Sequence, residues 1–350
     1  MKARNFLTTT IRTAALLALA GVVAAGCGSS DETASSKASA RSDAPNGGAK
    51  LTLVAYSTPR EAFEAIIPAF QESADGSGVE FEQSYGPSGD QSRAVEGGLA
   101  ADVVDFSLET DMTRLVDAGL VDADWNANET KGMISDSVVA LVVRKGNPKG
   151  IKDWDDLTKK GVEVITPNPF SSGGARWNLM AAYGAWTRAG ATPAEALGKL
   201  GQLLKNTPVQ SKSAREALQA FSQGKGDVLI SYENEAIMAK DKGQDIDVIV
   251  PDSTILIENP GAVLNTSASP EAAQAFLDYV LSDEGQRLFA QKGYRPVTKS
   301  VFDEFDFVEP KDLFTIADLG GWSTVADAFF DREKGSVAKI EQDLGVATDG

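Results

Sequence analysis

Four stretches of this 350-residue chain gather hydroxyls and glycines where an apolar run gives way to a helix-period segment. They are Ser57-Thr58-Pro59-Arg60, Gly86-Pro87-Ser88-Gly89-Asp90, Ser171-Ser172-Gly173-Gly174-Ala175-Arg176 and Ser211-Lys212-Ser213-Ala214-Arg215. Taken alone, each is the signature of a helix N-cap, in which a Ser or Thr oxygen accepts from an amide of the first turn. Taken together they have a second use. A helix start leaves N–H groups without intrahelical partners and carries a partial positive charge. Glycine, lacking a Cβ, lets the backbone approach a ligand closely. Such a set consists of donors, the complement of a small, fully ionised oxyanion. A protonated anion would bring a hydrogen that finds no acceptor there.

The rest of the composition narrows the chemistry. There is no histidine, which removes Ser–His–Asp and Cys–His catalysis and the commonest zinc ligand. The formal charge of −17 argues against nucleic acid or an anionic membrane surface as a partner. Local donors can still hold an anion, because distant charges are screened over roughly 8–10 Å in physiological salt. Ser336-Val337-Ala338-Lys339 matches the S-x-x-K pattern of penicillin-recognising enzymes, but the accompanying SDN and KTG motifs are absent. Asp153, Asp155 and Asp156 suggest a divalent metal only until Ile151, Trp154 and Leu157 are seen to mark an apolar helical face that leaves the acids to solvent. Gly224-Lys225-Gly226 lacks the rest of a P-loop, and Trp177, Tyr183 and Trp186 read as packing. No catalytic residue, metal or cofactor is expected.

The elements that must position the four junctions follow from periodicity. Residues 51–56, 79–85 and 101–108 read as strands; 59–73, with Phe63, Ile66, Ile67 and Phe70 on one face, 92–99 and 110–120 read as helices. A second series opens with the strand at 137–146 and continues through 162–166, helices at 175–186, 193–206 and 215–224, a strand at 227–232, a helix at 233–243 and a strand at 246–250. An extended return, 251–265, leads into two amphipathic helices over 270–293. Strand, helix and strand at this spacing imply parallel pairing through right-handed crossovers, in two lobes with chain crossovers near 138–145 and 250–258. No internal repeat at a fixed period is present. Ligands of such sheets bind beyond the carboxyl ends of the strands, where the junctions lie.

The N-terminus reads as targeting. Lys2, Arg4 and Arg12 precede the apolar run 13–25 and then Gly26-Cys27, the pattern of a secretory signal over residues 1–26. Cys27 is the only cysteine. Ala24-Ala25-Gly26-Cys27 resembles a bacterial lipobox, which implies that Cys27 becomes the lipidated mature N-terminus. Residues 27–49 are rich in Ser, Ala and Gly without aliphatic periodicity and read as a flexible tether. The expectation is an exported protein, at the outer face of the cell membrane or in the periplasm, held to the membrane by its lipid alone.

Five segments, 83–104, 144–157, 162–178, 226–236 and 279–297, resemble the sulfate/thiosulfate-binding proteins of ABC importers; the stretch TPNP…SSGGARWN is the most specific of them. The likeness runs from about 51 to about 330. It implies the α/β, two-lobed fold of type II periplasmic binding proteins, two α/β domains with a ligand cleft between them. One lobe would take 51–140 with 255–300, the other 141–254, and a C-terminal helical segment, 301–345, would pack back on the lobes. It further implies sulfate, or thiosulfate, as the ligand, delivered to an ABC permease with its ATPase by a monomer. Carried over residue by residue, the ligand serine of the first lobe falls on Ser88, the Ser-Gly-Gly cluster on Ser172, Gly173 and Gly174, and the backbone contact of a later helix on Ala214. The family's tryptophan donor before Glu-Asn-Glu falls on Tyr232, a departure, since a phenol differs in reach and can also accept. Asp90 also departs, from a small or basic residue. Thr58, Asp90 and Arg176 are expected around the site and not on the ligand. The residues leave open another tetrahedral oxyanion (molybdate, tungstate or phosphate) and a sensor or adhesin built on the same fold.

Overall fold

The computed structural model of the protein describes residues 46–348. The expected signal segment, the lipidation at Cys27 and the tether as far as residue 45 lie outside the described residues. Residues 46–49 are tied down: Gly48 N–H donates to the Gly78 carbonyl at 3.0 Å and Asn46 Nδ2 to the Asp75 carbonyl at 2.9 Å.

The first series forms β1 (Lys50–Tyr56), α1 (Arg60–Glu72), β2 (Glu80–Gly86), α2 (Ser88–Glu96), β3 (Val103–Asp105) and α3 (Glu109–Asp117). β1 lies between β2 and β3 and runs parallel to both. Its alternation decides which helices cover it. Leu51, Leu53 and Ala55 face one core with Phe63, Ile66 and Phe70 of α1, while Val54 faces another with Val95 of α2 and Met112 and Leu115 of α3.

The second series forms β4 (Met133–Arg144), β5 (Val164–Pro167), α4 (Gly173–Arg188), α5 (Pro193–Lys205), β6 (Gln210–Ser211), α6 (Ala214–Ser222), β7 (Val228–Tyr232), α7 (Glu233–Asp241) and β8 (Ile246–Ile249). The return strand β9 (Ser253–Val263) follows, then α8 (Pro270–Leu281) and α9 (Asp283–Ala290). β5 runs parallel to β6 and β7. The two series share one sheet, in the order β2-β1-β3-β9-β4-β7-β5-β6. The long strands β4 and β9 join its halves: residues 133–138 of β4 pair antiparallel with β9, and 139–143 with β7, while the end of β9 pairs with β3. Residues 138–143 of β4 are buried without a break, as a strand covered on both faces must be.

The C-terminal part holds α10 (Lys299–Phe302), β10 (Asp312–Phe314), α11 (Gly321–Val325) and α12 (Ser336–Asp343). It is not wholly helical, because β10 adds to β9 in parallel. Phe314 of this strand closes on α4 so tightly that a Cβ on Gly184 would lie 2.3 Å from its ring. Trp322, Val325, Phe330 and Val337 share a core with α4 and α5.

Two boundaries differ from the periodicity in a way that matters for the site. α2 begins at Ser88, four residues ahead of the apolar-periodic stretch, because Pro87 sets the backbone before it and Asp90 suits a helix N-terminus. β3 stops at Asp105; Phe106 N–H donates to the Pro260 carbonyl at 2.9 Å, and Ser107-Leu108 then turn the chain into α3.

Candidate anion-binding site

The N-termini of α2, α4, α6 and α7 come together at the carboxyl ends of the parallel strands. A Cβ on Gly174 would lie 3.4 Å from Tyr232 Cε1, 3.5 Å from Ser172 Oγ and 3.6 Å from Ala214 Cβ. Gly174, Ser172, Ala214 and Tyr232 therefore surround one small space. A Cβ on Gly89, in the first turn of α2, would lie 3.5 Å from the Ser171 carbonyl oxygen, which sets that helix start against the loop leading into α4. All four helices have at least nine residues, so each brings orphan amides and a partial positive charge.

The serines of these junctions have different occupations. The Ser213 hydroxyl accepts from Glu216 N–H at 3.2 Å and is a cap for α6. The Ser171 hydroxyl donates to the Lys212 carbonyl at 2.8 Å and braces two loops. Ser172 is the N-cap residue of α4, is 4% exposed, and its side chain caps no amide. A serine in that position that forgoes its cap keeps a hydroxyl, beside two glycine amides, for another acceptor.

Ser88 is joined to the group by a residue that periodicity hides. Ser107, in the turn between β3 and α3, donates its N–H to Ser88 Oγ at 2.9 Å, shares a 2.7 Å hydrogen bond with the Tyr232 hydroxyl and accepts from Trp177 Nε1 at 2.7 Å. Gly173 packs directly on it, since a Cβ there would lie 2.7 Å from Ser107 Oγ. The Ser88 hydroxyl donates to Asp111 Oδ2 at 2.6 Å. Its hydrogen is thus engaged within the protein. Phe106-Ser107-Leu108-Glu109 is a fifth apolar-run-to-helix junction of the same kind as the other four; a strand reading that runs to residue 108 conceals it.

Burial works against negative charge on the acids around the space. Burial pushes the Asp111 carboxyl above the usual carboxylate range, against the pull of the Ser88 hydroxyl and of Arg176, Arg114 and Arg93. Asp105, at the end of β3, is fully buried, its two oxygens have no hydrogen-bond partner among the described residues, and burial pushes its carboxyl well up. Burial likewise raises the Tyr232 phenol, with Ser107 and Asn259 opposing, so the ring keeps its proton as a donor. Both carboxyl shifts run toward the neutral form, which lowers the cost of placing an acid near an anion.

The three residues expected around the site have protein partners of their own. Thr58 Oγ1 is 3.0 Å from the Tyr294 hydroxyl. Asp90 pairs with Arg93. Arg176 Nε donates to the Pro169 carbonyl at 2.8 Å. Arg215, next to Ala214, reaches out of the second half of the sheet: it donates to Glu61 at 2.5 and 2.6 Å, to the Thr58 carbonyl at 3.2 Å and to Glu235 at 2.9 Å. It ties α6 to α1 and so joins the two halves.

Two α/β halves on one sheet, joined by two long strands and enclosing a space walled by helix N-termini and hydroxyls, define a two-lobed substrate-binding protein of the periplasmic type. Comparison with known proteins narrows this. Residues 51–295 match the model of the bacterial extracellular solute-binding protein family, and the chain belongs to that family, whose members serve ABC importers outside the cytoplasm. It is 40% identical to a sulfate-binding protein of Synechococcus elongatus, over 95% of this chain and 96% of that one. It is 35% identical to a thiosulfate-binding protein of Pseudomonas aeruginosa, over 80% of this chain and 89% of that one. Among solved structures, the sulfate-binding protein SubI from Mycobacterium tuberculosis H37Rv is similar with a TM-score of 0.79 and 48% identity, covering 81% of this chain and all of that one.

Proposed function

We propose that this protein captures sulfate outside the cytoplasm and delivers it to an ABC permease without chemically changing it. The observation that carries the reading is Ser172: a buried N-cap serine whose hydroxyl caps nothing, followed by two glycines and faced by Ala214 and Tyr232. The ligand is held by the Ser172 hydroxyl, by the first-turn amides of α2, α4 and α6, and by the Ser107–Tyr232 hydroxyl pair. Each donor is neutral, and the amides have no lone pair to receive a proton, so a dianion fits them better than a protonated anion. Closure of the two lobes, 51–140 with 255–300 against 141–254, excludes water and strengthens each bond; the segment 301–345 packs back on the second lobe. The described residues offer no nucleophile–base pair with histidine, and none exists in the sequence.

Thiosulfate is the second reading, favoured by the relative that carries its name and by Tyr232, whose hydroxyl can turn to accept as well as donate. Export follows the basic-apolar N-terminus, and a lipid on Cys27 keeps the monomer beside its permease. Membrane fractionation checks the anchor: Cys27→Ser releases the protein from the membrane fraction, and retention there overturns it. Calorimetry of the mature chain with sulfate, thiosulfate, molybdate and phosphate tests the ligand. Sulfate is expected to bind tightly at one equivalent and phosphate weakly. Ser172→Ala should weaken sulfate binding by about 1–3 kcal/mol, the scale for a donor to a buried charged group. Phosphate binding better than sulfate, and tighter below pH 7, overturns the neutral-donor site.

A further inference from the structure

A cavity of about 200 Å³ has Ser172 and Gly173 in its wall, and its lining also includes Gly89, Thr110, Arg93, Arg114 and Arg176. Three arginines around one small cavity stand out in a chain of formal charge −17. They come from three separate helices, α2, α3 and α4, so only the fold brings them together. None is fully used by the protein. Arg93 pairs with Asp90, which is 44% exposed at its side chain. Arg114 reaches Glu96 only at 3.5 Å, and its buried Nε has no partner among the described residues. Arg176 spends Nε on the Pro169 carbonyl at 2.8 Å and lies 4.8 Å from the Phe330 ring centroid. The buried Thr110 hydroxyl, also in the lining, has no partner among the described residues either. Unpaired buried donors of this kind call for an acceptor.

Resting on the sulfate reading of the clamp, we propose that this cavity is a second, weaker oxyanion site, a vestibule in which a sulfate-class dianion is held by Arg93, Arg114, Arg176 and Thr110 before it passes Ser172 and Gly173. The space has room for about six waters' volume, enough for a tetrahedral oxyanion that keeps part of its hydration. Guanidinium forks suit its oxygens. The division of labour is physical. Formal charges attract any dianion quickly, whatever its identity; the neutral clamp then selects. Asp111 also lines the cavity and opposes the arginines, although burial raises its carboxyl. Beyond Thr110 and Arg114 the adjoining groove is walled by Glu96, Glu109, Asp117, Asp327 and Asp331, so the arginines form a local positive island against an acidic exterior.

The test is the rate of sulfate association, followed by stopped-flow tryptophan fluorescence at several salt concentrations. The Arg93→Gln/Arg114→Gln double variant is compared with an Arg188→Gln/Arg287→Gln control, which removes the same charge from residues paired with Asp312 and Glu304. The vestibule variant should associate about tenfold more slowly at low salt with a flattened salt dependence; the control should stay within about twofold of wild type. In wild type, calorimetry at high sulfate should show a second, weak event that the vestibule variant lacks. Equal rates in the vestibule variant and wild type, or an equal fall in the control, overturn the vestibule while leaving the clamp intact. A wild-type protein with no saturable sulfate response overturns the clamp and the vestibule with it.

Discussion

Gly173→Ala is the substitution that most directly asks whether the two halves meet where the structure joins them. The added Cβ would lie 2.7 Å from Ser107 Oγ and 2.8 Å from both Ser107 Cβ and Leu108 Cγ, about 1 Å inside ordinary contact. Ser107 has little room to yield: its carbonyl holds Trp177 Nε1, its N–H holds Ser88 and its hydroxyl meets Tyr232. Leu108 is 1% exposed. The start of α4 must therefore move away from the β3–α3 turn and take Ser172 and Gly174 with it. Overpacking of this degree costs about 1–3 kcal/mol, which is roughly a five- to 150-fold loss of sulfate affinity. Gly174→Ala is the partner experiment. Its Cβ would meet nothing closer than 3.4 Å, so the fold accepts it, but the methyl occupies the space between Ser172, Tyr232 and Ala214. Calorimetry with sulfate and a melting curve separate the two: both variants should lose affinity, and only Gly173→Ala should lose melting temperature. Wild-type affinity in Gly174→Ala would refute the placing of the anion at the α4 N-terminus. Wild-type affinity in Gly173→Ala would refute the contact between the halves in the loaded protein.

Tyr232→Phe removes the partner of the Ser107 hydroxyl and should cost sulfate affinity about 0.5–1.5 kcal/mol, the net worth of one hydrogen bond; an unchanged affinity in calorimetry would show that the phenol takes no part. Thermal stability should fall from pH 5 to pH 8. Burial raises Glu235 to about 7 from 4.5, with Arg215 only partly opposing, so this group's contribution is present below pH 4.5 and is lost as pH rises through 7, by about 3 kcal/mol at most. Glu61 shifts the other way: burial raises it, but hydrogen bonds from Arg215 and Lys242 outweigh that and hold it at about 2, so it loses its contribution only below pH 4.5 and does not set the slope between pH 5 and 8, where Glu235 acts with other buried carboxyls raised in the same direction, Asp105 and Asp111 among them. Glu235→Gln should flatten the slope in melting curves across that window, and a slope unchanged by it would place the effect elsewhere.

How much of this was legible in the sequence depended on whether a feature is local. Apolar runs such as LTLVAY and VVALVV state their burial residue by residue, and β1 and β4 follow. The clustered hydroxyls and glycines marked Ser172 and Gly174, because a helix start needs a cap and a ligand needs bare backbone, both short-range demands. Ser107 was missed because its strand-like neighbours, Val103 to Phe106, hide a turn fixed by a distant carbonyl, that of Pro260. The engagement of the Ser88 hydroxyl by Asp111 was equally hidden, since nothing between positions 88 and 111 pairs them in sequence. The single sheet escaped periodicity for the same reason: β4 and β9 look like strands of either lobe, and only their register joins the two.

The same distinction bears on how an acidic protein selects an anion. The parts of the clamp that are local in sequence, the Ser172 hydroxyl and first-turn amides, carry no formal charge, and the amides discriminate by proton count because an N–H has no lone pair to receive a hydrogen, whereas a hydroxyl can turn to accept. Formal charge enters through residues that the fold assembles, Arg93, Arg114 and Arg176 beside the clamp, while burial raises the carboxyls of Asp105 and Asp111. Arginines in the grip itself would favour a dianion by charge alone, without regard to which tetrahedral oxyanion carries it. Keeping them one step away lets attraction and discrimination be separate. In that arrangement, removing an arginine should slow capture and leave the preference for sulfate over phosphate intact, whereas removing Ser172 should do the reverse.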